Sequence, residues 1–440
     1  MGRLILVLWP LALMDILFHV PAIAIAASAV FFLYLAASLA GSSLMNQLLA
    51  GAIALAALLV ALEDGAPLSL ASAFTHTLVF AAFVPSAQLL RTVAESDPRV
   101  LSFRDRLQAT DPRARPAWLL VGANVLGSVL AIGSVAILSP VFADPVDATA
   151  RREDAVSAVA GTALALTWSP FFVALAVVAS FLPDVPLWQV ILVGIALSAA
   201  GILLALLMLR TPAPLRTALA ALVALRDFVP LVLVAGAAVV LLRSVSPLSS
   251  LEAACLAIPV LCLMLVLSRA EAAGRRRAAG RALFAATAAR ITNIGADVAI
   301  VALAFTLGLV LRESPAVAEL IAASGLNALS PLAILFLVPL SMIAASMLCV
   351  HPIVSASIML AVFAGRHPGL ADVVLVGAVL VGWSASAMVA FSGLLLMVTM
   401  SFGGLTRGQL ILGRNMIFAP AFASLGALLL NALNMTIATY

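Results

Sequence analysis

Lysine is absent from the 440 residues, charged residues of both signs make up only 10% of them, and 65% are hydrophobic. That balance excludes a soluble globular surface and places the chain in a bilayer. Polarity does not alternate along the apolar runs, which excludes a transmembrane β-barrel and leaves helices as the spanning element. Cys255, Cys262 and Cys349 are the only cysteines and all lie in apolar runs, so they read as buried free thiols and not as a disulfide framework. There is no HExxH or other metal-ligand spacing, no Gly-rich phosphate loop and no nucleophile triad, so no enzyme, metal site or cofactor is read from motifs. The net charge of +4 rests on arginine alone. Those arginines sit in short loops between apolar runs, as membrane topology requires, and give no sign of a nucleic-acid partner.

The apolar segments near 3–20, 22–41, 45–62, 68–90, 153–181, 187–209, 228–242, 250–268, 290–311, 371–402 and 410–436 are the expected spans, eleven in all. The first has the order of a cleaved signal, a basic start, an apolar run and the small residues AIAIAASA, but is read as an uncleaved span. Two stretches remain, 117–142 and 331–364, each either one crossing or a re-entrant hairpin. Arginine decides between them. With two hairpins and a cytoplasmic N-terminus, twenty arginines lie inside and only Arg243, Arg312 and Arg366 outside. A single crossing at 117–142 would instead send RAEAAGRRRAAGR (269–281) outside. That run is a cytoplasmic stop signal able to meet anionic lipid.

The chain repeats itself. At an offset of 221, HTLVFAAFVPSAQLLRTV (76–93) lies over DVAIVALAFTLGLVLRES (297–314), Ile132, Ser134, Ile137, Val141 and Phe142 fall on Ile353, Ser355, Ile358, Val362 and Phe363, and Gly161 falls on Gly382. Ser180 and Phe181 continue the register onto Ser401 and Phe402. The arginine topology starts matching spans on opposite sides, which makes the repeat inverted. Inverted repeats with broken helices are the architecture of secondary transporters, with ligands near the midplane. The expected organisation is an extra N-terminal helix (1–21), a first repeat (22–210) with hairpin 117–142 and interrupted helix 153–181, a cytoplasmic linker (211–227), and a second repeat (228–440) with hairpin 331–364 and interrupted helix 371–402.

In each half a span, an interfacial stretch (97–110 in the first, including RVLSFRDRLQ), a hairpin, a long interrupted span and a final span follow in that order. This order resembles the ion transporter superfamily, whose best-known branch is the divalent anion:sodium symporters, with citrate and arsenite permeases as looser relatives. The likeness covers nearly the whole chain and is architectural. The Ser-Asn-Thr signature of the symporters' hairpin tips is not present, and the nearest equivalents are Asn124, Gly127 and Ser128 in the first tip and Ser341 and Ser346 in the second. The resemblance implies a homodimeric, inner-membrane carrier of a small organic anion, coupled to sodium or protons, in which hairpins and interrupted spans move past a scaffold like an elevator.

Hydroxyls and exposed backbone at the tips can hold a cation or an anion, or small residues there can simply let helices pack closely. In GTALALTWSP and GWSASAMVAFSG, the residues Gly161, Thr162, Thr167, Ser169, Gly382, Ser384, Ser386 and Ser392 are expected to surround the helix breaks, where freed N–H groups suit an anion and freed carbonyls a cation. A Pro170 kink with plain tilt is the alternative. Among ionisable groups in spans, Asp15, His19, His76, Asp297 and His351, the last two are candidates for proton coupling. Metalloid or inorganic anion efflux, cation/proton exchange, and an integral-membrane enzyme acting on a lipid-linked substrate are the other readings. The C-terminus is expected outside.

Overall fold

The computed structural model describes residues 3–66, 68–142, 148–209, 213–268, 273–367, 369–391 and 393–438, and among them there is no strand. Arg210 and Arg269 lie outside the described residues. Among the described residues, eight helices are long and apolar enough to cross a membrane, or nine if the pair Pro214–Ala224 and Val229–Val245, bent by 72°, is one span. The hydropathy segments are mainly helical, but Leu4–Phe18 is short, and the segments beginning at 153 and at 371 each break in two. The segment 228–242 reaches span length only as the bent pair, whose first helix occupies what the sequence reads as linker. Helix Ala273–Ile291 was also hidden from hydropathy, since its arginines mask an alanine-rich helix former.

Local chemistry starts these helices. Proline occupies an early position in Pro21–Ala40, Pro98–Gln108, Pro315–Ala323, Pro331–Met347 and Pro352–Phe363, where its missing N–H costs nothing. Asp97, Ser314 and Ser330 cap the helices that follow them by accepting a backbone N–H. Asp97 is fully buried and also grips the Arg99 guanidinium at two points, 2.9 and 2.8 Å, while Arg99 donates to the Asp227 carbonyl at 2.8 Å. The bonds to Asp97 raise the Arg99 guanidinium above its ordinary value, so this pair stays charged. The expected interfacial stretch is therefore a capped helix, with Val100, Phe103 and Leu107 turned inward.

Phe103 shows what that helix holds. Its ring stacks on Trp118 with centroids 5.7 Å apart and fills the space over Gly122, where a Cβ would stand 2.5 Å from the ring. The interfacial helix thus serves as a bed for the first of two helical hairpins.

Candidate functional site

The first hairpin consists of Arg115–Leu130 and Gly133–Phe142, and the second of Pro331–Met347 and Pro352–Phe363. At 1.5 Å per residue the arms are about 24, 15, 26 and 18 Å long, all short of a roughly 30 Å hydrocarbon core. They fold back on themselves. A Cβ on Gly127 would meet Ser134 Oγ at 3.4 Å, and Ser341 Oγ lies 3.8 Å from Met359 Sδ. Both tips carry a non-glycine residue at positive φ, Ala131 at 50° and Cys349 at 64°. With ψ at −126°, Ala131 occupies a conformation that glycine normally takes in a tight turn. Such strain collects at functional places.

Each long span breaks where its sequence has small and polar residues. Ala148–Ala165 is followed by non-helical residues 166–172 and then Val173–Phe181; Asp372–Val389 gives way to Leu394–Gly403 after 390–393. The half-helices start at Val173 and Leu394, 221 positions apart, and neither Phe172 nor Gly393 provides a side-chain cap. Their first N–H groups are therefore free of side-chain partners.

The structure divides the sequence-predicted residues into two groups. In the first half they hold hairpin to broken span. Gly161 lets the Leu120 carbonyl approach to where a Cβ would be 2.2 Å away, and Gly127 lies against Thr162. Asn124 donates to the Gly161 carbonyl at 3.3 Å and to Ser198 Oγ at 3.0 Å, and Thr162 Oγ1 pairs with Ser134 Oγ at 2.9 Å. Ser128 Oγ is spent on the Val125 carbonyl at 2.7 Å, while the Ser128 carbonyl accepts from Ser169 Oγ across the tip. Thr167 Oγ1 donates to the Leu164 and Gly194 carbonyls at 2.8 and 3.0 Å, pinning the break to Leu187–Met208. The partners of Leu120, Gly127 and Ser128 rise in step as Gly161, Thr162 and Ser169, so the first arm and the broken span run in the same direction. Gly133–Phe142, between them, must run back.

In the second half two of the sequence-predicted hydroxyls are left over, as is that of Ser357 on the hairpin's second arm. Ser346 and Ser386 are fully buried and have no hydrogen-bond partner, each one helical turn beyond the contact of Gly382 with Met342 and Pro339. Buried hydroxyls without partners are uncommon and call for an explanation. Ser341 Oγ donates to the Val338 carbonyl at 3.0 Å and reaches Met359 Sδ across the hairpin at 3.8 Å. Ser392 lies outside the described residues. His351 is exposed at the tip, where its Nδ1 accepts the Ile353 N–H at 3.2 Å and caps the second arm. Asp297 is exposed in the first turn of Gly295–Glu313, where a carboxylate suits the helix dipole, and neither it nor His351 joins the tips to the breaks. Sequence reading missed Ser134 and Ser198 as partners; a serine facing an asparagine or threonine two helices away leaves no local signal.

One bond joins the halves at the centre. Ser384 Oγ donates to the Ala163 carbonyl at 2.8 Å, and these residues are 221 positions apart, the offset of the repeat. Packing around that point is crossed: Gly133–Phe142 lies on Leu394–Gly403, and Pro352–Phe363 on Val173–Phe181. Each second arm thus rests on the half-helix of the other half.

Elsewhere the halves differ. The second arm of the second hairpin packs along Gly295–Glu313, so close that a Cβ on Gly308 would stand 2.8 Å from Ser357 Cβ. The second arm of the first hairpin meets the corresponding helix, Leu78–Glu95, at its very end, with Gly133 beside the Glu95 carboxylate. Arg290 holds that carboxylate at two points, one of them 2.8 Å. Among the described residues, no three His, Cys, Asp or Glu side chains gather as a metal site would require. No protein-family model matches the chain, and no curated protein matches it significantly.

Proposed function

We propose that the chain is a secondary active transporter of a small organic anion, coupled to sodium or protons, and not an enzyme. One observation carries this reading: the Ser384 to Ala163 contact, which joins the middles of two broken spans at positions 221 apart with a hairpin packed on each, as two halves related by an approximate two-fold axis would meet. A carrier built of two like halves can exchange their conformations at little cost, and that exchange moves a central site from one side of the membrane to the other. Uncapped half-helix starts at Val173 and Leu394 supply N–H groups for an anion, while the Ser346 and Ser386 hydroxyls await a ligand. No arginine is placed at the breaks, so dipoles and hydroxyls hold the charge, which favours small or singly charged anions.

On this reading both hairpins are re-entrant, the repeat is inverted, eleven spans cross a bacterial-type inner membrane, and the protein works as a homodimer with its N-terminus inside and C-terminus outside. The first tip lies beside Glu95, at the end of its neighbouring helix, whereas the second arm of the second hairpin meets Gly308, about two-thirds of the way along Gly295–Glu313.

The test is current from purified protein in proteoliposomes on a solid-supported membrane, challenged with carboxylates, inorganic and metalloid anions, and cations, with and without sodium and a pH step. Current that needs a carboxylate and follows one ion gradient supports the reading. Current only with arsenite-like species or only with cation gradients replaces the substrate class. Silence in both orientations, with no labelled counterflow, refutes the carrier.

A further inference from the structure

Asp154 lies in the second turn of Ala148–Ala165, at the base of the first broken span, and is only 4% exposed. Its Oδ1 has no hydrogen-bond partner. Arginines lie on its own helix and on the segments packed against it, yet none donates a hydrogen bond to Oδ1. Arg115, at the start of the first hairpin arm, acts on Asp154 through space but donates to the carbonyls of Thr110 and Gln108. Arg414 donates to Ser157 Oγ at 3.1 Å, and Arg152 donates to the Gln409 carbonyl at 2.7 Å. Arg151 stands three residues before Asp154 on the same helix face, and its buried Nε is also unpartnered. Glu153 is adjacent, and Arg407 lies on the short helix Arg407–Leu410 packed against this segment. Of the other helices packed here, Gly133–Phe142, Leu187–Met208 and Leu394–Gly403 carry no titratable side chain, and Asp372–Val389 carries only Asp372 at its far start.

A second feature meets this turn. Residues Ile411–Asn415 bulge out of helical geometry, with Leu412 and Gly413 departing from helical angles. The bulge gives Arg152 its room, since a Cβ on Gly413 would stand 2.1 Å from Arg152 Nη2. Bulges of this kind recur at functional joints. Here one lets Arg152 and Arg414 tie residues 409–414 to the base of the broken span, while Asp154 Oδ1 on that same turn is left unbonded. An ionised carboxylate without a hydrogen bond in a protein interior costs several kcal/mol, whereas a neutral acid avoids most of that cost.

Resting on the transporter reading, we propose that Asp154 is the proton-binding site of the transport cycle. The carboxylate holds one proton in the arrangement described here and releases it when rearrangement of the clasp brings water or a neighbouring guanidinium to Oδ1. No other reactant is consumed, so each cycle carries a proton together with the ligand.

Dicyclohexylcarbodiimide, which modifies protonated carboxyls in apolar surroundings, tests this on the intact wild-type protein without any mutation. Mass spectrometry is expected to find the adduct on Asp154 near pH 6 and to find it at least tenfold reduced near pH 9. In proteoliposomes on a solid-supported membrane, a pH jump without any carboxylate should displace charge in the wild type and displace none in Asp154→Asn that elutes as a single folded species. If Asp154→Asn fails to fold, Asp154→Glu is measured instead, and its charge displacement should have a shifted pH midpoint. An Asp154 that is never labelled, or is labelled equally at all pH values, overturns the proton site, as does an unchanged pH-jump response in the variants. If the wild type still gives carboxylate currents, the transporter reading survives that failure. A pH-dependent adduct in a protein that moves no solute overturns the coupling role together with that reading.

Discussion

If the two halves exchange conformations, contacts now made by one half should appear at equivalent positions of the other, and the distance involved can be worked out. Gly133 meets Glu95, whereas Ser357 meets Gly308. Reduced by the repeat offset, the second contact corresponds to Ala136 against Ala87. The two hairpins are thus out of register on their neighbouring helices by about 11 residues, or ~16 Å at 1.5 Å per residue; the reach of the Glu95 side chain reduces this to roughly 10–15 Å. A disulfide needs Cα atoms within about 7 Å. Cysteines at Ala87 and Ala136 should therefore be too far apart in the described arrangement and join only in the opposite one, while a Glu95→Cys, Gly133→Cys pair should join as the protein stands. The experiment starts from a background lacking Cys255, Cys262 and Cys349, with a protease site placed between the paired helices near residues 110–113. Oxidation followed by cleavage then reports each link as an uncut band on a gel. Expected are rapid linking of 95 with 133, slower linking of 87 with 136 that accelerates when ligand and ion gradients are applied, and transport reduced at least tenfold by either link. If 87 and 136 never link while the same membranes transport, the exchange of halves is refuted.

Further outcomes follow from packing. Gly161→Ala places a Cβ against the Leu120 backbone, which cannot yield as a side chain can, and should cost about 1–3 kcal/mol; Gly236→Ala meets nothing within 4 Å and should be neutral or stabilising by up to about 1 kcal/mol. Melting in detergent separates the two, and equal midpoints would contradict the tight crossing. Ser346→Ala and Ser386→Ala remove hydroxyls that bond to nothing, so melting should hold or rise while transport falls at least fivefold; unchanged transport in both dissociates them from the site. Ser384→Ala loses one neutral hydrogen bond and should cost about 1 kcal/mol. Ala131→Gly relieves a positive-φ alanine and should raise stability by about 1 kcal/mol, measurable as a higher melting midpoint.

The sequence by itself determined the class, because runs apolar on every face can satisfy their backbone only as helices in lipid. It also determined where the long spans break, since Gly161 to Pro170 and Gly382 to Gly393 combine residues that tolerate non-helical backbone with side chains able to bond it. The half-helix starts at Val173 and Leu394 are 221 positions apart, the offset read in the sequence. Helix Ala273–Ile291 was not readable, because its arginines look like a loop to hydropathy even though its alanines favour a helix. Only tertiary structure decided which hydroxyls are spent and which are free: Asn124 and Thr167 bond across helices, Ser346 and Ser386 bond to nothing, and that difference depends on atoms tens to hundreds of residues away. Asp154 illustrates the point most sharply. Within RRED it reads as one more surface charge at a helix start, and only tertiary packing around that turn makes it a buried carboxyl.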